Sequence, residues 1–398
     1  MSTRLQIFDA TRFAPPPDLE LLRRRSLVVG VAATIICLIG AFLSPASFYR
    51  SYLVSYVFLV GIALGCLAVG MLHHVTGGAW GVVIRRLLEA ASRTLPVLLV
   101  LFLPITFGIR HLYVWARPEA VAADHLLQHK APYLNVPFFI ARTVLYFLVW
   151  MGFMLWTERL VRQQDRTGDP DLPRRLQKLG AAGLVAYGLT VTLAAVDWLM
   201  SLDPHWYSTM YGIYLLGGQA LSAFAFMIPV ALYLSRRKPL DAVLKPRHFH
   251  DWGKLLLAFV MLWAYFSYSQ FLIIWSGDIP EEVAWYTART QGAWKWVALA
   301  IVLLHFALPF LLLLSRDLKR SAPRLAALAA LLLFMRYVDL YWQAVPAFHA
   351  EARAFHWLYV VMPLALGGIW LSVFAWQLGK RPLVPLGDPA LEEAMADA

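Results

Sequence analysis

WVALAIVLLHFALPFLLLLS, residues 296–315, decides how this chain must be read. Its twenty residues include one titratable side chain, His305, and no carboxylate, lysine or arginine. A helix rises about 1.5 Å per residue, so a run of this length crosses the roughly 30 Å hydrocarbon core of a bilayer. Working outward, nine more stretches of the same kind fall near 26–44, 52–72, 92–109, 135–156, 179–200, 211–233, 254–275, 323–344 and 357–377. In 398 residues with 60% hydrophobic and 15% charged side chains, apolar content arrives in membrane-length blocks. Only helices satisfy their own backbone across spans of this kind. The predicted fold class is therefore an all-α integral membrane protein with about ten transmembrane helices in packed bundles.

The domain organisation follows. Residues 1–25 form an N-terminal segment, 26–377 the ten-helix domain and 378–398 a polar tail that ends acidic. With loops alternating sides, the two termini share a face with the loops near 75–90, 158–178, 235–250 and 316–322. That face holds roughly 24 of the 35 lysines and arginines, which by the positive-inside rule makes it cytoplasmic. The net charge of +11 thus reads as anchoring beside lipid headgroups rather than as a nucleic-acid surface. The first segment lacks the short basic region and apolar core of a signal peptide, so the first span is expected to be retained.

Redox ligation finds no support in the residues. Cys37 and Cys66 both sit inside apolar runs, and no pair has zinc, iron–sulfur or CxxCH spacing. His305 is the one clear mid-membrane histidine, whereas a buried haem between helices wants two. No catalytic residue and no metal ligand is assigned.

Charge inside a membrane is costly, so it is either paired or it works. Arg336 and Asp339 stand three apart and share a helical face. They read as a self-neutralised lock or as a proton-carrying carboxylate tuned by its arginine. Arg142 and Asp197 sit at similar depth on neighbouring spans, as a structural pair or as part of a proton or quinone site, with Gln219 as a further polar group there. His305 precedes Pro309 by four residues, which removes a helix hydrogen bond and predicts a kink beside a titratable ring. Tyr265, Tyr268 and Ser269 share a face and offer hydroxyls for helix contacts or a water chain. His73, His74, Glu158 and Asp251 mark cytoplasmic helix ends and are candidates for proton uptake or simple interfacial charge. Gly217-Gly218 suggests a break in span 211–233, with no matching break elsewhere. Trp198, Trp206, Tyr207, Tyr211, Trp275, Trp285, Tyr286, Trp294, Trp296, Tyr341, Trp342 and Trp357 crowd the exoplasmic ends, as an interfacial belt or a surface under an extracytoplasmic partner. Asp278, Glu281 and Glu282 add an acidic patch that suits a basic partner.

Two loops carry a resemblance. DWLMSLDPHWYSTMYG (197–212) and WSGDIPEEVAWYTARTQGAWKW (275–296), with FSYSQFLIIWSGDIPEE (266–282) and LLHFALPFLLLLSRDLKR (303–320), resemble the F subunit of bacterial alternative complex III. This is a membrane subunit of a quinol:electron-acceptor oxidoreductase, within the wider polysulfide-reductase-like group. The likeness is close from about Trp198 to Arg320 and looser elsewhere. It implies a bacterial cytoplasmic (inner) membrane, a respiratory or photosynthetic electron-transport chain, and a chain with no redox cofactor of its own. It further implies a transmembrane proton path coupled to menaquinol oxidation by the complex. The implied partners are a sister ten-helix quinol-binding subunit, an iron–sulfur subunit, multihaem and monohaem cytochromes c and small membrane subunits. Haem c and iron–sulfur clusters would belong to those partners. Because the fold is shared with quinone-binding subunits, a second menaquinone site and a pure scaffold stay open. A stand-alone proton-coupled secondary transporter is the rival from another class.

Overall fold

A computed structural model describes residues 13–351 and 355–391. Residues 1–12 of the expected N-terminal segment and 392–398 of the expected tail lie outside the described residues. Ten helices are long and apolar enough to cross a membrane: α1 Asp18–Leu43, α2 Pro45–Thr76, α3 Arg85–Phe107, α4 Val136–Thr167, α5 Leu172–Leu202, α6 Tyr211–Ser235, α7 Pro246–Gly277, α8 Trp294–Leu314, α9 Ala322–Phe348 and α10 Leu358–Leu378. No strand occurs among the described residues.

Local chemistry sets several boundaries. Prolines at the first turns of α2, α4 and α7 sit where the missing N–H has no helical partner to lose. Asn135 caps α4 by accepting from the Phe138 amide at 3.0 Å, and Gly168 ends it at φ 60. The helices outrun their apolar cores. α1 begins at Asp18, inside the segment expected to precede it, and α3 begins at Arg85 rather than near residue 92. Polar first turns are invisible to a hydropathy reading, because helix formation needs no apolar residue. α6 runs unbroken through Gly217-Gly218. Those glycines give clearance instead: a Cβ on Gly218 would strike the Arg336 guanidinium, and one on Gly217 the Phe266 ring. Irregular turns fall in α3, around Arg93-Thr94 and Leu101-Phe102, and in α8, where a π-helical turn spans Ile301–Ala307 ahead of Pro309.

Helices α2 to α5 pack as one four-helix bundle and α6 to α9 as a second. The seam between them runs along α2 and α6, where a Cβ on Gly65 would enter the Gln219 carbonyl. α1 and α10 form an antiparallel pair outside the bundles, with α10 resting on α2 and α3. Their backbones touch: a Cβ on Gly30 would come 2.6 Å from the Ile369 nitrogen. The Leu383 amide donates to the Phe13 carbonyl at 3.0 Å, so the described start and end of the chain meet at one end, called here the near end. The described tail packs on its own chain, burying Leu383, Val384 and Leu391. The outer faces are apolar, with Phe42, Leu148, Leu189 and Leu311 exposed, the surface a bilayer would cover.

Candidate functional site

The second bundle holds a polar cluster in its far half. Asp339 of α9 is fully buried and accepts from Tyr214 Oη on α6 at 2.6 Å and from Trp263 Nε1 on α7 at 3.1 Å. Arg336, one turn away on the same helix, is ion-paired to it. The His305 ring of α8 lies 4.0 Å, centroid to centroid, from the Trp263 ring. Each of the four helices therefore contributes a side chain. His305 is wholly buried, and neither ring nitrogen has a hydrogen-bond partner. A buried imidazole left this way costs about 1–3 kcal/mol.

The interior on the two sides of this cluster differs. Toward the near end the bundle is filled by Leu256, Val260, Leu313, Leu325 and Leu332, all fully buried. Toward the far end the interior stays polar. Ser208 Oγ donates to Gln270 Oε1 at 3.2 Å, and Gln270 Nε2 donates to Tyr286 Oη at 3.3 Å. Arg289, in the short helix Pro280–Thr290, is 1% exposed and has no carboxylate in contact. Its guanidinium donates to the Trp285 carbonyl at 2.9 Å and the Gln343 carbonyl at 2.6 Å, and stacks 3.7 Å from the Trp285 ring. Burial pushes Arg289 down to about 9. The Gln343 side-chain amide beside it has no partner on either atom.

The first bundle holds a matching carboxylate. Asp197 of α5 accepts twice from Arg142 of α4, at 2.9 and 2.8 Å, and from Tyr146 Oη at 2.7 Å. Arg142 also donates to the Tyr133 carbonyl and lies 3.8 Å from the Tyr133 ring and 4.3 Å from that of Phe138. This pair is satisfied and closed. It does not join Asp339, so the buried charges form two separate centres rather than one file.

Several expected groups fall elsewhere. Tyr265 and Tyr268 face outward, 64% and 61% exposed, because the buried stripe of α7 runs through Trp263 and Gln270; Ser269 is half-buried. Gln219 does not reach Arg142; it accepts from Tyr187 Oη at 2.7 Å at the seam. Glu158 belongs to a near-end ionic network with Arg93, Arg162 and Arg381. His73 is buried and donates to the Gly78 carbonyl at 3.1 Å, with the half-buried His74 ring 5.9 Å away. Asp251 stands apart at the start of α7, paired with Lys254 at 2.9 Å. The four uptake candidates are therefore not one group. Most of the far-end aromatics turn inward: Trp198, Trp206, Tyr211, Trp285 and Tyr286 are buried, and Trp206 stacks on Trp285 at 4.7 Å. They cap the bundles, leaving Tyr207, Trp275, Trp296 and Trp357 at the surface with Asp278 and Glu281.

The sequence reading missed Tyr214, Trp263, Tyr146 and Arg289, since aromatic and loop positions carry no signal of which carboxylate they meet. It also missed Arg85, Arg86, Glu89 and Arg93 as interior groups, having placed them in or near a loop. Among the described residues no three of His, Cys, Asp and Glu gather to hold a metal. No family model matches the chain, and no curated protein matches it.

Proposed function

We propose that the chain is a membrane subunit of an alternative complex III-type quinol:electron-acceptor oxidoreductase, and that its second bundle is a proton-carrying element coupled to menaquinol oxidation by the complex. In this reading the near end is cytoplasmic and the membrane is the bacterial inner membrane. The redox centres, haem c and iron–sulfur clusters, belong to the partner subunits. The sequence resemblance supports the assembly, and the state of His305 supports the proton role. An imidazole with two open nitrogens stands one ring away from a carboxylate neutralised by Arg336. Asp339 holds the charge, Arg336 sets its affinity, Tyr214 and Trp263 orient it, and His305 relays. The polar interior above and the apolar filling below favour a half path directed toward the exoplasmic side. Arg142 and Asp197, with every strong acceptor direction used, serve as a lock for the first bundle.

The test is proton stoichiometry of the assembled complex in liposomes. Asp339→Asn and His305→Ala are expected to keep quinol oxidation while lowering protons moved per electron. An unchanged ratio in both variants rejects the proton role.

A second reading has one observation in its favour. An apolar cleft of about 670 Å³ opens between α1, α6, α9 and α10, walled by Phe226, Phe334 and Tyr337 among others. It suits a hydrocarbon tail, yet it does not reach Arg142 or Asp197, which are tightly packed. A photoreactive menaquinone analogue that labels α6, α9 or α10 along this cleft would favour a second quinone site over the proton element.

A further inference from the structure

At the near end, α3, α4 and the segment after α10 enclose a cavity of about 570 Å³. Arg86 and Arg93 form its floor, Arg162 and Arg166 one wall, and Lys380 and Arg381 the other. Only two carboxylates, Glu158 and Asp165, line it. Ion pairing consumes part of this charge. Arg86 holds Asp165 at 2.5 Å and Glu89 at 2.8 Å, while Arg93, Arg162 and Arg381 all share Glu158. One carboxylate thus serves three guanidinium groups. Arg166 and Lys380 have no carboxylate in contact, and Arg86 Nε, on a residue 2% exposed, has no hydrogen-bond partner. Burial together with the neighbouring Arg93 pushes Arg381 down to about 10, and Lys380 is lowered for the same two reasons. The site carries more positive charge than its own acids neutralise.

The cavity shares Glu158, Arg162 and Arg166 with an adjoining groove that Leu155 of α4 also lines. Leu155 and Trp376 of α10 are 58% and 47% exposed, and the Lys380 ammonium sits over the Trp376 ring. A tryptophan and a lysine at the edge of an apolar belt mark the depth of lipid headgroups. Basic pockets between membrane helices on the cytoplasmic side suit acidic headgroups.

We propose that this cavity binds the phosphate of an anionic phospholipid, with its acyl chains lying along Leu155 and Trp376. The phosphate supplies acceptors to Arg162, Arg166 and Lys380 and balances the charge around Glu158. Because Arg381 and Asp388 tie the tail to α3, the lipid also fastens the segment after α10 onto the bundle. The site depends only on the bundle lying in a membrane and is independent of the proton role.

The test uses the full chain in mixed micelles. Phosphatidylglycerol is expected to raise the unfolding temperature and to be retained in native mass spectrometry, whereas phosphatidylcholine does neither. Arg162, Arg166 and Lys380 are exposed, so Arg162→Gln/Arg166→Gln/Lys380→Gln folds. It is expected to weaken phosphatidylglycerol retention about a hundredfold, from about 1 kcal/mol per cation. The Arg162→Lys/Arg166→Lys variant, which keeps the charge, retains most of it. Inorganic phosphate alone is expected to leave the unfolding temperature unchanged. An equal response to both lipids, full retention by the glutamine variant, or an effect reproduced by inorganic phosphate would each overturn the proposal.

Discussion

Asp197 and Asp339 are both fully buried, each beside one arginine and one tyrosine hydroxyl. What separates them is the next neighbour. Both oxygens of each carboxylate are committed, but the Asp197 guanidinium is wedged between two rings, whereas Asp339 lies one ring away from the unpartnered His305. Removing one member of such a pair leaves an uncompensated charge, at a cost of about 3–5 kcal/mol. Asp197→Ala is expected to lose stability on that scale in detergent unfolding. Arg142→Met/Asp197→Leu should recover most of it, because a matched apolar pair leaves no buried charge behind. His305 behaves in the opposite sense. A phenylalanine fills nearly the same space without orphaned nitrogens, so His305→Phe is expected to raise stability by about 1–3 kcal/mol. A loss of similar size would show that the ring is held by partners. The charges themselves were legible in the sequence, as was the Arg336–Asp339 pairing three residues apart. Asp339's contact with Tyr214, from a helix far earlier in the chain, was not, because no local spacing encodes a contact between helices.

Individual helices show which residues make close approach possible. The buried face of α1 reads Ser26, Gly30, Ala33, Cys37, Gly40, small residues that let α10 come within backbone contact. Gly368 lies against the Gly30 backbone, where nothing flexible can yield. Gly368→Leu is therefore expected to part α1 from α10 and to lower the unfolding temperature, whereas Gly367→Leu, with open space around it, should be nearly silent. The loop before α4 offers a pH-dependent element. Asp124 caps the helix His125–Lys130 through the Leu126 and Leu127 amides and contacts His205 at 2.7 Å. Burial opposes its ionisation, but the Leu127 amide, His205 and the Leu126 amide together hold the carboxyl below its usual range. A carboxyl lowered on folding stabilises above its unfolded pKa, near 3.9, and loses that contribution as pH falls through the folded value. Protection against hydrogen exchange at residues 125–130, corrected for the intrinsic pH dependence of amide exchange, should fall across that acidic range, and Asp124→Ala should abolish the change. The apolar cores of the helices were readable to within a few residues. Their polar first turns at Asp18 and Arg85 were not, since hydropathy reports burial in lipid and not helix formation.

Across the whole molecule, two four-helix bundles share a seam and are flanked by the α1–α10 pair. Each keeps one carboxylate on its fourth helix, Asp197 on α5 and Asp339 on α9, in the half away from the termini. An even number of crossings returns the chain to the end where it started, so reporters fused before residue 13 and after residue 391 should read the same compartment. The charge bias predicts that compartment to be the cytoplasm. A periplasmic signal from either fusion would reverse the assignment of both ends and of the half path. By itself the sequence determined the number of membrane-length apolar helices and several of the charges buried among them, because burying a helix in lipid demands length and apolarity that any reading of twenty residues detects. Only the tertiary structure decided which charges are satisfied and which stand open. It closed Arg142 on Asp197, turned Tyr265 and Tyr268 outward, and left His305 unpartnered beside Trp263. Those outcomes depend on how four helices rotate against one another, a matter of packing between residues distant in the chain.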